Sequence, residues 1–165
     1  MKKGFAAGAF LFCLCFSAKA FAIGAGSSAP DFELPGAKGN VKLSGAAGSV
    51  VYLDFWASWC GPCRQSFPWM NAMQEKYRAQ GLQVIGVNLD AKNEDVQKFL
   101  SQLPAKFAVA FDSKGSIPKV YGVKGMPTSF LIGRDGKIIL EHAGFKEGDR
   151  ESLEQQIKSA LEARK

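Results

Sequence analysis

The feature of this sequence that most restricts its fold is a short apolar run in the first half of the chain. Residues Val50–Phe55 read VVYLDF, and only Asp54 interrupts the run. Continuous apolar strands of this kind are typical of the centre of a parallel sheet, where both faces are covered. Parallel strands are joined by crossover connections, and these place helices against the sheet. The run therefore predicts an α/β chain with a mixed central sheet flanked by helices.

The rest of the chain alternates between strand and helix patterns. After a Gly/Ser/Ala-rich lead that we expect to be flexible (23–29), the expected segments are a hairpin (31–34 and 41–43), the central strand (50–55), a loop (56–59), a helix (61–79), a strand (82–89), a helix (93–103), a strand (107–111), a helical turn (117–121), a second hairpin (128–132 and 138–141) and a closing helix (148–162). Pro68 lies inside the first helix and should kink it. No internal repeat and no second domain is indicated.

The first 22 residues have the features of a secretory signal peptide. Two lysines precede an almost wholly apolar stretch that is too short to span a bilayer comfortably. Ala20–Ala22 is an A-x-A cleavage site, and Ala18–Ala20 is a second candidate. We expect a signal peptide over residues 1–22, a mature domain over residues 23–165 and a periplasmic location. An uncleaved membrane anchor is the alternative.

Charge and cysteine counts exclude several classes of function. The 165 residues include 21 Lys+Arg and 15 Asp+Glu, a formal charge of +6, and the three lysines of the expected signal account for half of that excess. No run of five or more basic residues appears, so nucleic-acid binding is not indicated. Of the four cysteines, Cys13 and Cys15 lie in the expected signal, which leaves Cys60 and Cys63. A two-residue spacing closes too small a loop for a stabilising disulfide scaffold.

The remaining pair lies in the segment W-C-G-P-C, at the expected junction of the buried strand and the first helix. The unpaired N–H groups of a helix start stabilise an anion, so we expect a Cys60 thiolate to be favoured there. Cys60 should be the exposed nucleophile, and Cys63, one turn on, the buried resolving thiol. Gly61 leaves room for a partner backbone, and Pro62 stiffens the turn.

A C-x-x-C pair can also form half of a metal site or a disulfide bridge without redox activity. A zinc site normally needs two more ligands, and the mature chain offers only His142, far along the sequence on a predicted edge strand. We therefore expect no metal or other cofactor, and we interpret His142 as structural. A copper(I) carrier that uses the two thiolates alone stays open as an alternative.

Several segments resemble one known family. Val51–Cys63 resembles the active-site segment of thioredoxin, and Tyr121–Thr128 resembles that family's loop with a cis-proline. Pro68 matches its helix-kinking proline. The opening Ala29–Leu34 and an extra helix–strand unit over Ala91–Gly115 are similar to the exported TlpA/ResA/CcmG-like thiol–disulfide oxidoreductases. The resemblance implies a thioredoxin-like fold with an N-terminal hairpin and a central insert.

The resemblance also implies roles for single residues. Asp54 is similar to the buried acid that helps to deprotonate the resolving cysteine through water, and a bond to a neighbouring lysine is the alternative. Pro127 is the expected cis-proline, and the backbone of Met126 would pair with an extended substrate strand. Trp59 would form the rim of the docking surface, with plain packing as the alternative. Trp56 we expect in the core.

The implied activity is thiol–disulfide exchange with other proteins. The family exchanges disulfides in two steps, and a Gly-Pro spacer resembles that of reducing thioredoxins, so we expect a protein-disulfide reductase. A disulfide-introducing oxidase on the same fold is the alternative. Expected partners are disulfide-bearing client proteins, with apocytochrome c as one option, and a membrane protein that re-reduces the Cys60–Cys63 bridge. We expect a monomer.

Overall fold

A five-stranded mixed sheet runs through the centre of the molecule, whose computed structural model describes residues 23–163. The expected signal peptide lies outside the described residues. The strands are β1 (Glu33–Leu34), β2 (Val41–Lys42), β3 (Val50–Trp56), β4 (Leu82–Asn88), β5 (Ala108–Phe111), β6 (Thr128–Ile132) and β7 (Ile138–Ala143). The helices are α1 (Gly61–Tyr77), α2 (Asn93–Gln102), α3 (Ser116–Val120) and α4 (Asp149–Glu162). Within residues 23–163, no helix has the length and apolar character needed to cross a bilayer.

The order of the central sheet is β5-β4-β3-β6-β7, and the strands β1 and β2 form a separate antiparallel hairpin. Strands β3, β4 and β5 are parallel to one another, whereas β6 runs antiparallel to β3 and β7 antiparallel to β6. The apolar run thus forms the middle strand, as its composition predicted. Helix α2 and strand β5 lie where the extra helix–strand unit was expected. The predicted α/β class and mixed sheet are confirmed.

The two faces of β3 belong to two separate cores. Val50, Tyr52 and Trp56 pack in a cluster with apolar residues of α1, α2 and α4. The alternate residues, Leu53 among them, pack with the hairpin, a short 3-10 helix and Tyr121 just after α3. Side chains along a strand alternate between faces, so Asp54 lies on the α1 face. Helices cover both faces of the sheet, as expected.

Helix α1 is the element that presents the C-x-x-C segment. Cys60 is its N-cap residue, and a proline occupies the first helical turn, where the missing N–H costs nothing. Phe67 and Met70 are fully buried and hold the helix to the sheet. Pro68 lies inside the helix, as expected. The helix is two residues shorter than predicted, because residues 78–80 continue as a 3-10 turn before Gly81, whose φ is +97°.

Both edges of the sheet are partly covered by the N-terminal residues, and this differs from the flexible lead expected over residues 23–29. The Gly26 N–H donates to the Ile138 carbonyl at 2.8 Å, and the Ile138 N–H donates to the Ser27 carbonyl at 2.9 Å. At the opposite edge, the Phe111 N–H donates to the Pro35 carbonyl at 2.8 Å. The composition suggested flexibility, but the backbone of these residues pairs with edge strands that would otherwise lack partners.

The hairpin and the central strand also have bounds that differ from expectation. The hairpin strands are only two residues long, since Leu43 begins a 3-10 helix that ends at Ala46 instead of extending β2. Trp56 belongs to β3 and not to the following loop, and it is fully buried, as expected of a core residue.

Arg134, in the turn between β6 and β7, ties together the end of the molecule opposite the C-x-x-C segment. Its guanidinium donates to the carbonyls of Gly48 and Gln80 at 3.0 Å each, and to that of Leu161 at 3.4 Å. Because this half-buried group caps carbonyls from three segments, Arg134→Ala should lower the free energy of unfolding by about 1–2 kcal/mol in urea titrations. The exposed Lys137→Ala should stay within about 0.5 kcal/mol of the parent protein. Equal midpoints for the two variants would show that these contacts add no stability.

Candidate active site

The C-x-x-C pair forms a disulfide between Cys60 and Cys63, with 5.2 Å between the Cα atoms. The Cys60 sulfur also accepts a hydrogen bond from the Cys63 N–H at 3.2 Å, so it lies at the N-terminus of α1 as predicted. Cys60 is 5% exposed and Cys63 is fully buried. The expectation of an exposed Cys60 is therefore too strong for this oxidised form, since the N-cap position draws the sulfur against the first turn. Cys60 is nevertheless the more accessible of the two cysteines.

The surface around the disulfide is open on one side. Trp59, directly before Cys60, has 72% of its surface exposed, the largest value among the large apolar side chains of the described chain. A β-carbon placed on Gly61 would meet no atom within 4 Å. Plain core packing, the alternative considered for Trp59, is therefore wrong.

The turn that carries Cys60 is held by Asp90, a residue that the sequence did not single out. Its buried carboxylate accepts hydrogen bonds from the Ser58 N–H at 2.8 Å, the Ser58 hydroxyl at 2.9 Å and the Asn88 amide at 2.7 Å. Asp90 follows the end of β4, which runs parallel to β3. The turn after β4 and the turn after β3 therefore lie together, at the carboxyl ends of the two strands. That topological position is the signal that could have identified it.

Asp54 is 2% exposed, and its Oδ2 has no hydrogen-bond partner. Burial raises the pKa of this carboxyl well above its usual range. Its neighbours in the sheet are Gly86 on β4 and Ser129 on β6, and no lysine or arginine is buried in the described part of the chain. The alternative of a bond to a neighbouring lysine is therefore wrong. Asp54 lies on the face of β3 that α1 covers, in the same core as Cys63.

The Met126–Pro127 peptide bond is cis, as the resemblance implied. Thr128 is the antiparallel partner of Phe55, so Pro127 lies beside the end of β3, where the chain leads to Cys60. Pro127 is buried and Met126 is half-buried. The fold thus brings the proline loop and the disulfide to one end of the sheet, although 64 positions separate them in sequence.

His142 occupies the edge strand β7, as expected. It also has a titratable neighbour, Asp149, which the sequence analysis did not identify. Its Nε2 lies 3.3 Å from Asp149 Oδ2 at the start of α4, so the pair links β7 to that helix. Among residues 23–163, no group of three or more His, Cys, Asp or Glu side chains is arranged to hold a metal ion.

The fold and the site together define a class of protein. A C-x-x-C disulfide at a helix N-terminus, with a cis-proline just before the adjoining strand β6 of a mixed sheet, is the arrangement of a thioredoxin-like thiol–disulfide oxidoreductase.

Comparisons with known proteins lead to the particular family. The Redoxin family profile matches residues 24–157. Thiol-disulfide oxidoreductase ResA from Bacillus thuringiensis subsp. konkukian is 40% identical over 134 residues, which cover 81% of this chain and 76% of the relative. ResA from Bacillus subtilis is 34% identical over 118 residues, 71% of this chain and 66% of the relative.

The fold also matches solved structures. A crystal structure from Chlorobium tepidum, of a candidate Thiol:disulfide interchange protein DsbE, superposes with a TM-score of 0.83 at 68% identity and covers 84% of this chain and 99% of that one. A solution structure of a candidate protein disulfide isomerase from Bacteroides thetaiotaomicron gives a TM-score of 0.78 at 31% identity, with 86% and 92% covered. This chain therefore belongs to the Redoxin family, among its TlpA/ResA/CcmG-like thiol–disulfide oxidoreductases.

Proposed function

We propose that this thiol–disulfide oxidoreductase is an exported reductase of protein disulfides. The observation that supports it best is the Cys60–Cys63 disulfide at the N-terminus of α1, with Cys60 the more accessible cysteine. When the bond is reduced, the N–H of Cys63 and the helix start favour a negative charge on Cys60. Cys60 is then the nucleophile.

The reaction proceeds in two exchanges. The Cys60 thiolate attacks one sulfur of a client disulfide, the client S–S bond breaks, and the other client sulfur leaves as a thiolate that takes a proton. Cys63 then loses its proton and attacks the Cys60 sulfur, which breaks the mixed disulfide and releases the second client thiolate. The client gains two electrons and two protons, and the enzyme ends with the Cys60–Cys63 disulfide.

Asp54 is the group that we assign to accept the Cys63 proton, through an intervening water. It lies buried on the α1 side of β3, and burial raises its pKa well above the usual range, which makes it a better proton acceptor than an exposed carboxylate. The acid must be at least partly ionised before the second exchange, and the proton it takes returns to solvent afterwards.

Client binding uses the open surface around the disulfide. The backbone of Met126, next to the cis-proline Pro127, would pair with an extended client segment, and Trp59 would contact its side chains. The empty space in front of Gly61 admits a client backbone close to Cys60, with Pro62 holding the turn. Apocytochrome c is one client whose disulfide such a surface would accept.

The oxidised enzyme needs a source of electrons. We infer that residues 1–22 direct export as a signal peptide, so that the domain over residues 23–165 works as a monomer in the periplasm. A membrane protein that carries electrons from the cytoplasm would then reduce the Cys60–Cys63 disulfide.

Measuring the redox equilibrium with glutathione decides whether the enzyme reduces client disulfides or introduces them. A reductase should reduce insulin disulfides in the presence of dithiothreitol. Its reduction potential should be more negative than that of a strong oxidase, so it should stay mostly oxidised in glutathione buffers that keep such an oxidase reduced. Each 30 mV of difference in potential corresponds to about 1.4 kcal/mol. A poise near that of strong oxidants would instead identify a disulfide-introducing oxidase. Stoichiometric copper after purification under reducing conditions, with no insulin reduction, would identify a copper(I) carrier.

A further inference from the structure

Two of the buried polar atoms without partners belong to residues on the α1-side face of β3. Within residues 23–163, four buried side-chain atoms lack a hydrogen bond: Asp54 Oδ2, Trp56 Nε1, Trp69 Nε1 and Arg150 Nε. Buried polar groups are nearly always paired, so each exception needs an explanation. Asp54 Oδ2 is an acceptor and Trp56 Nε1 is a donor, and the two residues lie two positions apart on one face of β3.

Gly86 shows where the indole N–H of Trp56 lies. A β-carbon placed on Gly86 would be 2.9 Å from Trp56 Nε1 and 2.9 Å from a ring atom of Phe107. Gly86 is also the direct strand partner of Asp54. The indole N–H therefore occupies the position that a side chain on Gly86 would take, next to Asp54 in the sheet. The missing side chain of Gly86 is what admits it.

The indole cannot turn away to find another partner. Trp56 is fully buried, and its ring centroid lies 4.8 Å from those of Phe67 and Phe99. The carboxylate of Asp90, just after the adjoining strand, accepts its hydrogen bonds from Ser58 and Asn88 and not from the indole. The N–H is therefore a fixed donor in an apolar environment, where one hydrogen bond to an anion has a large effect.

We propose that Trp56 is a positioning residue for Asp54, whose ionised carboxylate accepts a hydrogen bond from one buried water that in turn accepts from the indole N–H. The inference rests on the proposed function, in which Asp54 must carry a charge before it takes the Cys63 proton. The titratable and charged groups on this side of the sheet are Tyr52 on β3, the two cysteines and Tyr77 on α1, and His142, Asp149 and Arg150 around the start of α4. Arg150 pairs with Glu147 and His142 with Asp149, and no lysine or arginine forms an ion pair with Asp54 among the described residues. A neutral donor is the means by which this core stabilises the anion.

The test uses the oxidised full-length protein without any client. The Nε1–H resonance of Trp56 should shift with the same midpoint as the Asp54 carboxyl carbon, and the shift should vanish in Asp54→Asn. Trp56→Phe keeps the ring packing and removes the donor, and should raise the Asp54 midpoint by about one pH unit, a typical effect of one charge-assisted hydrogen bond. The matched variant Trp69→Phe removes another unpaired indole N–H of the same core and should leave the midpoint unchanged.

Three results would overturn the pairing: an indole resonance that stays fixed while Asp54 titrates, an unchanged midpoint in Trp56→Phe, or an equal shift in Trp69→Phe. If Trp56→Phe does not fold, the titration of the parent protein's own indole decides the question. Since nothing here depends on turnover, a titrating indole in a protein that fails to reduce insulin would keep the pairing and reject the reductase.

Discussion

Replacing Cys60 with serine should abolish protein-disulfide reduction, whereas replacing Cys63 with alanine should stop the reaction one step later. Cys60 is the more accessible cysteine and lies at the N-terminus of α1, while Cys63 is fully buried in the first turn. Loss of the nucleophile should lower insulin reduction by at least about a thousandfold, to the uncatalysed rate. Cys63→Ala should lose turnover equally and yet accumulate a covalent mixed disulfide on Cys60.

The two variants separate the roles in one experiment. Non-reducing gels and intact mass after mixing with a client disulfide should show the adduct for Cys63→Ala and none for Cys60→Ser. The mass of the adduct also identifies the client when the variant is expressed in its native host. If Cys60→Ser forms the adduct and Cys63→Ala does not, the assignment of nucleophile and resolving thiol is reversed.

Replacing Asp54 with asparagine should stabilise the protein at neutral pH and slow its chemistry. Burial raises the pKa of Asp54 well above its ordinary value of 3.8, so the folded protein holds this proton more tightly than the unfolded chain does. Its contribution to stability is complete below about pH 3.8 and is lost as the pH rises through the higher folded-state pKa. Asp54→Asn cannot ionise and so avoids that loss. At pH 8 its free energy of unfolding should exceed that of the parent protein by an amount on the order of 2 kcal/mol, and this difference should shrink as the pH falls.

The same variant should resolve the mixed disulfide about a hundredfold more slowly at neutral pH, because Cys63 loses its proton acceptor. Urea titrations at several pH values and rapid-mixing kinetics of the second exchange measure the two effects. Asp112→Asn is the matched control: this buried carboxylate accepts hydrogen bonds from the Ile117 N–H and the Ser116 hydroxyl, so its removal should destabilise the protein. A variant of Asp54 that is less stable than the parent at pH 8 would contradict the account.

The sequence predicted the parts of this molecule that depend on local patterns. The VVYLDF run identified the middle strand, and the C-x-x-C spacing identified the disulfide, because each is a property of neighbouring residues. The resemblance supplied the cis-proline at Pro127, which chain chemistry alone would have assigned as trans.

The features that the sequence missed depend on contacts between distant residues. Asp90 reaches Ser58 across 32 positions, and the Trp56 indole fits against β4 only because Gly86, the strand partner of Asp54, has no side chain. The depth of Cys60 was also misjudged, since C-x-x-C spacing does not fix how far the first sulfur is drawn against the helix. Backbone pairing of the N-terminal residues has no side-chain signature, so a Gly/Ser-rich composition suggested flexibility instead.

The pairing of those N-terminal residues bears on how the protein behaves at high concentration. An unprotected edge strand is a template on which a second copy can add its own strand and begin to aggregate. Here residues 26–27 occupy the start of β7 and residues 35–37 occupy β5, while the open remainder of β7 carries the charged Glu141. Intermolecular strand addition is thereby blocked along β5 and disfavoured along β7, so we expect little self-association through the sheet edges even in concentrated solution.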